Sequence, residues 1–454
     1  MKTQSFSGVG RLVLVAGLSA LLLAGCGKGQ VDHLPPESMD GGDTAFMLVS
    51  AALVMLMTPA LAMFYGGLVR TKNVLSVFMH CFSAMGIITV LWVLLGYSLA
   101  FSPSAVMVGD FSLLGGLHWA FLGARNIGMD PHPVYASTIP HRLFMIYQGM
   151  FAIITPALIC GAVAERMKFK SFIAFISIWL IFVYAPIAHW TWSENGWLLK
   201  LGSLDFAGGT VVHMSSGIAA LVAALMVKPR RGFPREAFIP HNLVFTALGA
   251  GLLWFGWFGF NAGSAVGSTK VAVVAFVSTQ CAAAAGILGW VAFDWLVRGK
   301  PTLLGGASGA IAGLVAITPA SGFVSPSAGI VIGLASGVLC AWFVGWRVRK
   351  GVDDALDAFS VHGVGGTLGA LLTGVFASHY LNEAVDLDAQ GLVHGSAKLL
   401  GLQALSVVIT FVYTFVVSWV ILKVIDLVFG LRVSNDQEQV GLDLTEHGEA
   451  AYNS

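Results

Sequence analysis

Eleven apolar segments, each about 20 residues or longer, recur along this chain between residues 44 and 429. An α-helix needs about 20 apolar residues to cross the hydrocarbon core of a bilayer. Only 10% of the 454 residues are charged, whereas a soluble chain has about a quarter. The sequence therefore predicts an all-α integral membrane protein with eleven transmembrane helices. The predicted spans are 44–68, 74–101, 143–164, 171–191, 206–227, 241–260, 271–297, 303–320, 327–346, 358–378 and 397–429.

Basic residues collect in alternate connections between these segments. The connections after even-numbered segments and their margins hold only Arg125, Arg142, Lys200, Lys270 and Lys398. Because cytoplasmic loops carry the excess of Lys and Arg, the N-terminus is expected outside and the C-terminus in the cytoplasm. The expected location is the inner (cytoplasmic) membrane, with many passes through the lipid. The connections after odd-numbered segments carry Arg70, Lys72, Arg166, Lys168, Lys170, Lys228, Arg230, Arg231, Arg235, Arg298, Lys300, Arg347, Arg349 and Lys350.

The first 26 residues are typical of a secretory signal peptide. Lys2 and Arg11 precede an apolar stretch that ends in small residues. The ending LAGC resembles a lipoprotein-processing box, which would leave Cys26 as a lipidated N-terminus. Ordinary cleavage nearby, with Cys26 discarded or inert, is the alternative. Residues 27–43 follow as a polar linker rich in Pro and Gly.

Composition excludes several other functions. The net charge is +1 and no basic stripe is present, so no nucleic-acid partner is expected. The other four cysteines lie singly in apolar runs, and no spacing indicates a metal site or a disulfide framework. No nucleophile and base are spaced as in an enzyme. The sequence therefore predicts a protein that is not an enzyme and that uses no cofactor or metal.

A short repeat relates two of the predicted spans. HMSSGIAALVAAL begins at His213 in the fifth span and HGVGGTLGALLTGVF begins at His362 in the tenth, and Asp205 and Asp354 each lie eight residues earlier. An offset of five spans inverts the second copy in the membrane. The prediction is two inverted five-helix repeats, about 44–227 and 241–378, plus an eleventh helix. Such repeats place binding sites near the midplane, where the two histidines would meet.

Each of these residues also has a structural interpretation. A lone intramembrane histidine can simply hydrogen-bond a neighbouring helix, although paired ionisable residues in a membrane usually mark a pathway. An aspartate just before an apolar helix is a good N-cap. Capping by Asp205 and Asp354 is compatible with a further role in supporting a pore.

Several longer motifs resemble one known family. FYGGLVRTKNVLS (64–76), GAVAERMKF (161–169), DFAGGTVVH, GWFGFNAGSA (256–265) and FSVHGVGG (359–366) are similar to the Amt/Mep/Rh ammonium transporters, in particular the bacterial Amt type. The resemblance runs from about residue 44 to the end. It implies a homotrimer in membrane lipid with one pore through each subunit and ammonium or ammonia as the substrate.

The resemblance also implies roles for individual residues. The outer ammonium site falls on Phe151, Trp192 and Ser264, and a phenylalanine gate falls on Phe151 with Phe260. Tyr147 supports the vestibule at a position where many members carry phenylalanine. Its added hydroxyl leaves the affinity of the outer site open.

The resemblance places the pore itself at His213 and His362, with Trp257 beside them. Desolvating an ion is expensive, and ammonium, unlike potassium, can give up a proton. We therefore expect the chain to deprotonate ammonium and conduct ammonia, with net movement of charge. The histidines either relay that proton or merely line the wall.

The tail, residues 431–454, has five acidic residues and one basic residue. It is either a solvated tail or, as the resemblance implies, a segment packed under the trimer that helps a PII-type regulatory protein to block the exit. An ammonium sensor that signals through this tail is the alternative function. Such sensors usually carry an added signalling domain, which disfavours this reading. A gas or urea channel would not need the outer cation site.

Overall fold

The computed structural model describes residues 39–122 and 127–452. The predicted signal peptide with Cys26 and most of the 27–43 linker lie outside the described residues. Within them, ten helices are long and apolar enough to cross a membrane, and an eleventh apolar helix, α8, is shorter. The helices are α1 Gly41–Leu68, α2 Thr71–Phe101, α3 His141–Val163, α4 Phe169–Trp192, α5 Gly209–Val227, α6 Leu243–Ala265, α7 Lys270–Arg298, α8 Leu303–Ile317, α9 Pro326–Arg349, α10 Phe359–Phe376 and α11 Lys398–Phe429.

Each predicted span coincides with one of these helices. The largest difference is at α6, which continues to Ala265 where the apolar pattern suggested an end at 260. The eighth span was expected over 303–320, but α8 has only 15 residues and ends at Ile317. At about 1.5 Å per residue, such a helix alone falls short of the hydrocarbon thickness. The described chain is a multi-pass membrane protein.

Helix starts follow from local side-chain chemistry. The first N–H groups of a helix have no partner within the helix, and a preceding Asp, Asn, Ser or Thr oxygen can accept from them. Five of the eleven helices α1 to α11 begin in this way, each after a residue whose side chain accepts from the N–H three positions later. These caps are Asp40, Asn242, Thr269, Thr302 and Ser325.

The connection between α2 and α3 corrects the all-α prediction. It contains two short antiparallel hairpins, β1 Ser104–Val108 with β2 Phe111–Gly115 and β3 Pro131–His132 with β4 Ala136–Pro140. Val108 pairs with Phe111, so Gly109 and Asp110 form the turn. Gly109 has a φ of +59°, which glycine adopts readily in two-residue hairpin turns. The single helical turn Trp197–Lys200 lies in the connection between α4 and α5.

Large apolar side chains cover the outside of the bundle. Val273 and Leu288 of α7 are each 63% exposed, and Leu427 of α11 is 77% exposed. In water such a surface would promote aggregation, whereas lipid tails solvate it. Residues 431–452 do not extend this bundle. They fold back as the short helix α12 Asn435–Val440 and the π-helical turn Asp443–His447.

Candidate functional site

The two repeat histidines meet in the middle of the bundle. The Nδ1 atoms of His213 and His362 are 3.3 Å apart, and their ring centroids are 5.3 Å apart at an angle of 28°. Both rings are buried, with 1% and 4% exposure. His213 Nε2 is also buried and has no hydrogen-bond partner among the described residues. The structure thus brings together the pair that the repeat suggested and leaves one ring nitrogen free.

Glycines allow this meeting. A Cβ atom at Gly217, one turn after His213, would overlap the backbone nitrogen of Gly363. Helices α5 and α10 therefore cross backbone to backbone directly beside the imidazoles. Both histidines also lie in π-helical turns, Gly209–Met214 and Phe359–Gly363. Such turns are rare and often occur at functional sites.

The two aspartates hold the starts of these turns. The Asp205 carboxylate accepts from the backbone N–H groups of Gly208, Gly209 and Thr210 at 2.8, 2.6 and 2.8 Å, and from a fourth N–H at 3.2 Å. Asp354 accepts from the backbone of Ala358 and Phe359 at 3.0 and 2.8 Å. Both residues therefore have the capping role that the sequence allowed, on the histidine-bearing helices.

Aromatic rings continue from His213 toward one end of the bundle. Trp257 stacks on His213 with centroids 5.3 Å apart, and its indole N–H donates to Thr318 Oγ1 at 2.9 Å. Phe260 also stacks on His213, at 5.8 Å. The ring of Phe151 lies only 4.3 Å from that of Phe260. The rings of Phe151 and Phe260 therefore form an aromatic closure beside His213.

The residues expected to form the outer site lie beyond this closure. Trp192 meets Phe151 edge-on with centroids 6.0 Å apart, and its indole N–H donates to the Asp205 carbonyl at 2.9 Å. Ser264 lies one turn after Phe260 and donates to the Phe260 carbonyl at 2.9 Å. Tyr147, Phe151, Trp192 and Ser264 are thus linked by contacts beside the Phe260 ring.

Two cavities adjoin the histidines. The one between Phe260 and His362 leaves about 10 Å³ for the centre of a water-sized molecule. That is roughly the minimum that holds one water. The other measures about 180 Å³ and is lined by His362, Tyr65, Arg230, Phe238 and Asp357, among others. His362 lines both cavities and His213 lines only the narrow one, so the histidine pair lies where the narrow apolar space meets the wide one.

Comparisons with known proteins identify the family. The model of the Ammonium Transporter Family matches residues 45–452. The chain belongs to the ammonium transporter family. It is 52% identical to an ammonium transporter of Bacillus subtilis, covering 91% of this chain and 99% of that protein, and 45% identical to ammonium transporter Amt1 of Archaeoglobus fulgidus, covering 91% and 100%.

Solved structures of the family are similar as well. The crystal structure of Saccharomyces cerevisiae Mep2 superposes with a TM-score of 0.81 at 37% identity, covering 88% of this chain and 89% of that one. A structure titled Sensor Amt Protein gives a TM-score of 0.81 at 30% identity, covering 89% and 98%. The chain therefore has the fold of this family over most of its length.

Sequence reasoning missed a buried ionic cluster at the wide end. Glu165 bonds Arg70 and Arg230 at 2.8 and 3.2 Å, and Arg230 also bonds Asp353 at 2.8 Å. Burial raises the pKa of Glu165, but the guanidinium groups of Arg230 and Arg70 outweigh burial and hold that pKa below its ordinary value. Glu165 lies in the motif GAVAERMKF, and a carboxylate between two apolar segments could have indicated this cluster. Phe238 lies over Arg230 at 4.0 Å.

The tail packs against the same end of the bundle. Asp443 Oδ1 accepts from the Ser76 backbone N–H at 2.8 Å, and Glu446 accepts from that of Phe169 at 2.9 Å. These N–H groups belong to the first turns of the α-helical parts of α2 and α4, where carboxylates are favourable. Glu438 accepts from the Arg231 backbone at 2.8 Å and pairs with Arg432. The described tail is therefore a packed segment rather than a solvated one.

Proposed function

We propose that this chain transports ammonium: it binds the cation at the Trp192 end, removes a proton and conducts ammonia past His213 and His362. The observation that carries the proposal is the buried contact between His213 and His362, which has the Phe260 ring on one side and the wide cavity on the other. A space of about 10 Å³ leaves no room for a hydrated ion. A potassium ion would have to lose its water there, at a cost of several kcal/mol.

The outer site suits a cation that donates hydrogen bonds. The faces of Trp192 and Phe151 can attract ammonium by about 0.5–2 kcal/mol. Ser264 Oγ keeps lone pairs that can accept from an ammonium N–H, because its own hydrogen is donated to the Phe260 carbonyl. Burial behind the gate disfavours the charged form of the guest and promotes its deprotonation.

The histidine pair offers one donor and one acceptor to ammonia. If one Nδ1–H donates to the other Nδ1, the donor ring has a bare Nε2 and the acceptor ring carries its hydrogen on Nε2. Ammonia can both donate and accept, so both edges suit it. His213 Nε2, buried without a partner among the described residues, is one such edge. The pair is also placed to relay the proton, which would make transport electrogenic.

We further propose the N-out, C-in orientation that the basic connections predict, in the inner (cytoplasmic) membrane. The proposed assembly is a homotrimer. Its tail, packed at the cytoplasmic exit, would then be available to a PII-type regulatory protein. The signal peptide and the fate of Cys26 remain proposals from the sequence. Mass spectrometry of the mature N-terminus tests both.

Flux and current in proteoliposomes test the transport proposal. An inward ammonium gradient should produce uptake and an inward current, and an equal potassium gradient should produce neither. Uptake without current would remove the electrogenic part, and no uptake would remove the function. His213→Ala and His362→Ala should each lower uptake or admit potassium. Wild-type behaviour of both variants would contradict the role of the pair.

An ammonium sensor is a second candidate. Two observations favour it: the similarity to the structure titled Sensor Amt Protein and the tail packed beside the passage. A sensor would bind ammonium and alter its tail without net flux. Hydrogen exchange of residues 435–447 with and without ammonium, measured alongside the flux assay, separates the two functions.

A further inference from the structure

The hydroxyl of Tyr147 reaches from one wall of the passage to the other. Tyr147 lies on α3 one turn before Phe151, fully buried, and its ring meets that of Phe151 edge-on at 5.0 Å. Its hydroxyl lies 3.0 and 2.9 Å from the carbonyl oxygens of Gly259 and Phe260 on α6, and 3.3 Å from Ser264 Oγ. One side chain therefore links the gate turn of α3 to the turn that carries Phe260 and Ser264.

The hydrogens in this cluster can be assigned. Carbonyl oxygens only accept, and those of Gly259 and Phe260 lie closer to the Tyr147 hydroxyl than Ser264 Oγ does, so the single Tyr147 hydrogen is donated to the carbonyls. The Ser264 hydrogen is donated either to the Phe260 carbonyl at 2.9 Å or to the Tyr147 oxygen at 3.3 Å. In both arrangements each hydroxyl hydrogen is used inside the protein. Ser264 can therefore only accept a hydrogen bond from a bound molecule. Ammonium, which can donate hydrogen bonds but has no lone pair, matches this acceptor.

Gly263 leaves the space that this hydroxyl occupies. A Cβ atom at Gly263 would lie 2.7 Å from the Tyr147 oxygen and 2.8 Å from Ser50 Cβ. Both distances are below ordinary van der Waals contact, so alanine at this position would displace the hydroxyl. The contact between Tyr147 and α6 is therefore a fitted one rather than a loose surface hydrogen bond.

We propose that Tyr147 is a positioning residue that sets the apparent affinity of the outer site for ammonium. Its hydroxyl limits the rotation of the Ser264 side chain and fixes that acceptor relative to the rings of Phe151 and Phe260. Less conformational entropy is therefore lost when the cation binds. The inference rests on the proposed function, because ammonium is the ligand. It answers the question of affinity that the tyrosine raised in the sequence.

The main test is Tyr147→Phe, measured by initial ammonium uptake in proteoliposomes over a range of concentrations. The half-saturation concentration should rise roughly 3- to 10-fold, about the contribution of one hydrogen bond, while the maximal rate stays within about twofold. Gly263→Ala should shift it in the same direction. The matched control is Tyr413→Phe, which removes a hydroxyl bond from α11 to the Phe182 carbonyl and should leave both values unchanged.

The phenylalanine variant should fold normally. The Gly259 carbonyl keeps a bond from the Gly263 N–H, and the Phe260 carbonyl keeps the Ser264 hydroxyl. Neither oxygen is left without a partner, so the melting temperature should match that of Tyr413→Phe. A rise in half-saturation at an unchanged melting temperature is a result that a purely structural role would not give.

A double variant tests whether Tyr147 acts through Ser264. In a Ser264→Ala background, Tyr147→Phe should add little further shift, because coupled residues are not additive. An unchanged half-saturation in Tyr147→Phe, a fall in maximal rate alone, or full additivity with Ser264→Ala would each overturn the inference. If the wild type transports ammonium and Tyr147→Phe matches it, only this inference fails. If the wild type transports none, the proposed function and this inference both fail.

Discussion

The two histidine-bearing segments, 205–217 and 354–366, are built alike but lie in different surroundings. Each begins with a capping aspartate, passes through a π-helical turn and carries its histidine against the other copy. The His213 side is closed by stacked aromatic rings and leaves about 10 Å³. The His362 side opens to about 180 Å³, with Arg230 and Asp357 among its mostly apolar lining residues. The repeat thus supplies the pair, and we propose that dehydration and selection occur on the His213 side, because the aromatic rings lie there.

The largest effect is expected from disrupting the close backbone contact between the two histidine-bearing segments. Gly217→Ala would place a methyl group into the backbone of Gly363, and overpacking of this kind costs about 1–3 kcal/mol. We expect a clearly lower melting temperature and loss of ammonium uptake. Gly251→Ala on α6, where a Cβ atom meets nothing within 4 Å, is the control and should match the wild type. Normal stability and uptake for Gly217→Ala would mean that the crossing does not hold the pair.

A smaller effect distinguishes the two caps. Asp205 accepts from four backbone N–H groups and Asp354 from two. Asp205→Asn should therefore cost more stability than Asp354→Asn, roughly 2 against 1 kcal/mol, since each charge-assisted bond contributes modestly. Thermal unfolding in detergent measures both. Equal losses of stability in the two variants would show that the Asp205 and Asp354 caps contribute equally despite their different numbers of hydrogen bonds.

The smallest effect concerns only the His362 end, where the tail packs. Burial lowers the pKa of His447, and Asp443 and Glu446 partly offset it. The docked tail therefore favours neutral His447, and its docking should weaken as the pH falls below about 6.5, the ordinary value. Hydrogen exchange of residues 435–447 should be faster at pH 5.5 than at pH 7.5, after correction for intrinsic rates.

Two controls sharpen this pH test. In His447→Gln the extra exchange at pH 5.5 should be smaller, because the titrating group is gone. Burial also lowers the pKa of His241, whose ring contacts the Tyr452 hydroxyl at 3.0 Å, so some pH dependence should remain. Exchange independent of pH in the wild type would contradict the link between His447 and docking.

The sequence predicted the parts of the fold that depend on hydropathy and missed those that depend on contacts. Apolar runs located the eleven apolar helices α1 to α11 because lipid requires such runs, and the repeat indicated that His213 and His362 meet. The hairpins of residues 104–140 were missed because their strands are short and half exposed, without a buried alternating face. The tail contacts were missed because Asp443 and Glu446 bond backbone groups far away in sequence.

The sequence likewise predicted only some features of the candidate site. Resemblance indicated Phe151, Trp192, Phe260 and Ser264, and in the structure these residues contact one another in series. The role of the Tyr147 hydroxyl could not be derived from sequence, because its partners are backbone carbonyls of α6 that any residue type would supply. The difference between the two cavities was equally hidden, since it depends on the packing of five or more helices around the pair.

Nitrogen-15 NMR of histidine-labelled protein in lipid at pH 7 measures where the hydrogens of His213 and His362 lie. We predict two neutral imidazoles, one carrying its hydrogen on Nδ1 and the other on Nε2, joined by a coupling between the two Nδ1 atoms. His213→Gln and His362→Gln assign the two signals. Two Nε2-protonated rings without that coupling, or a stable imidazolium, would contradict a neutral pair that shares one hydrogen across the passage.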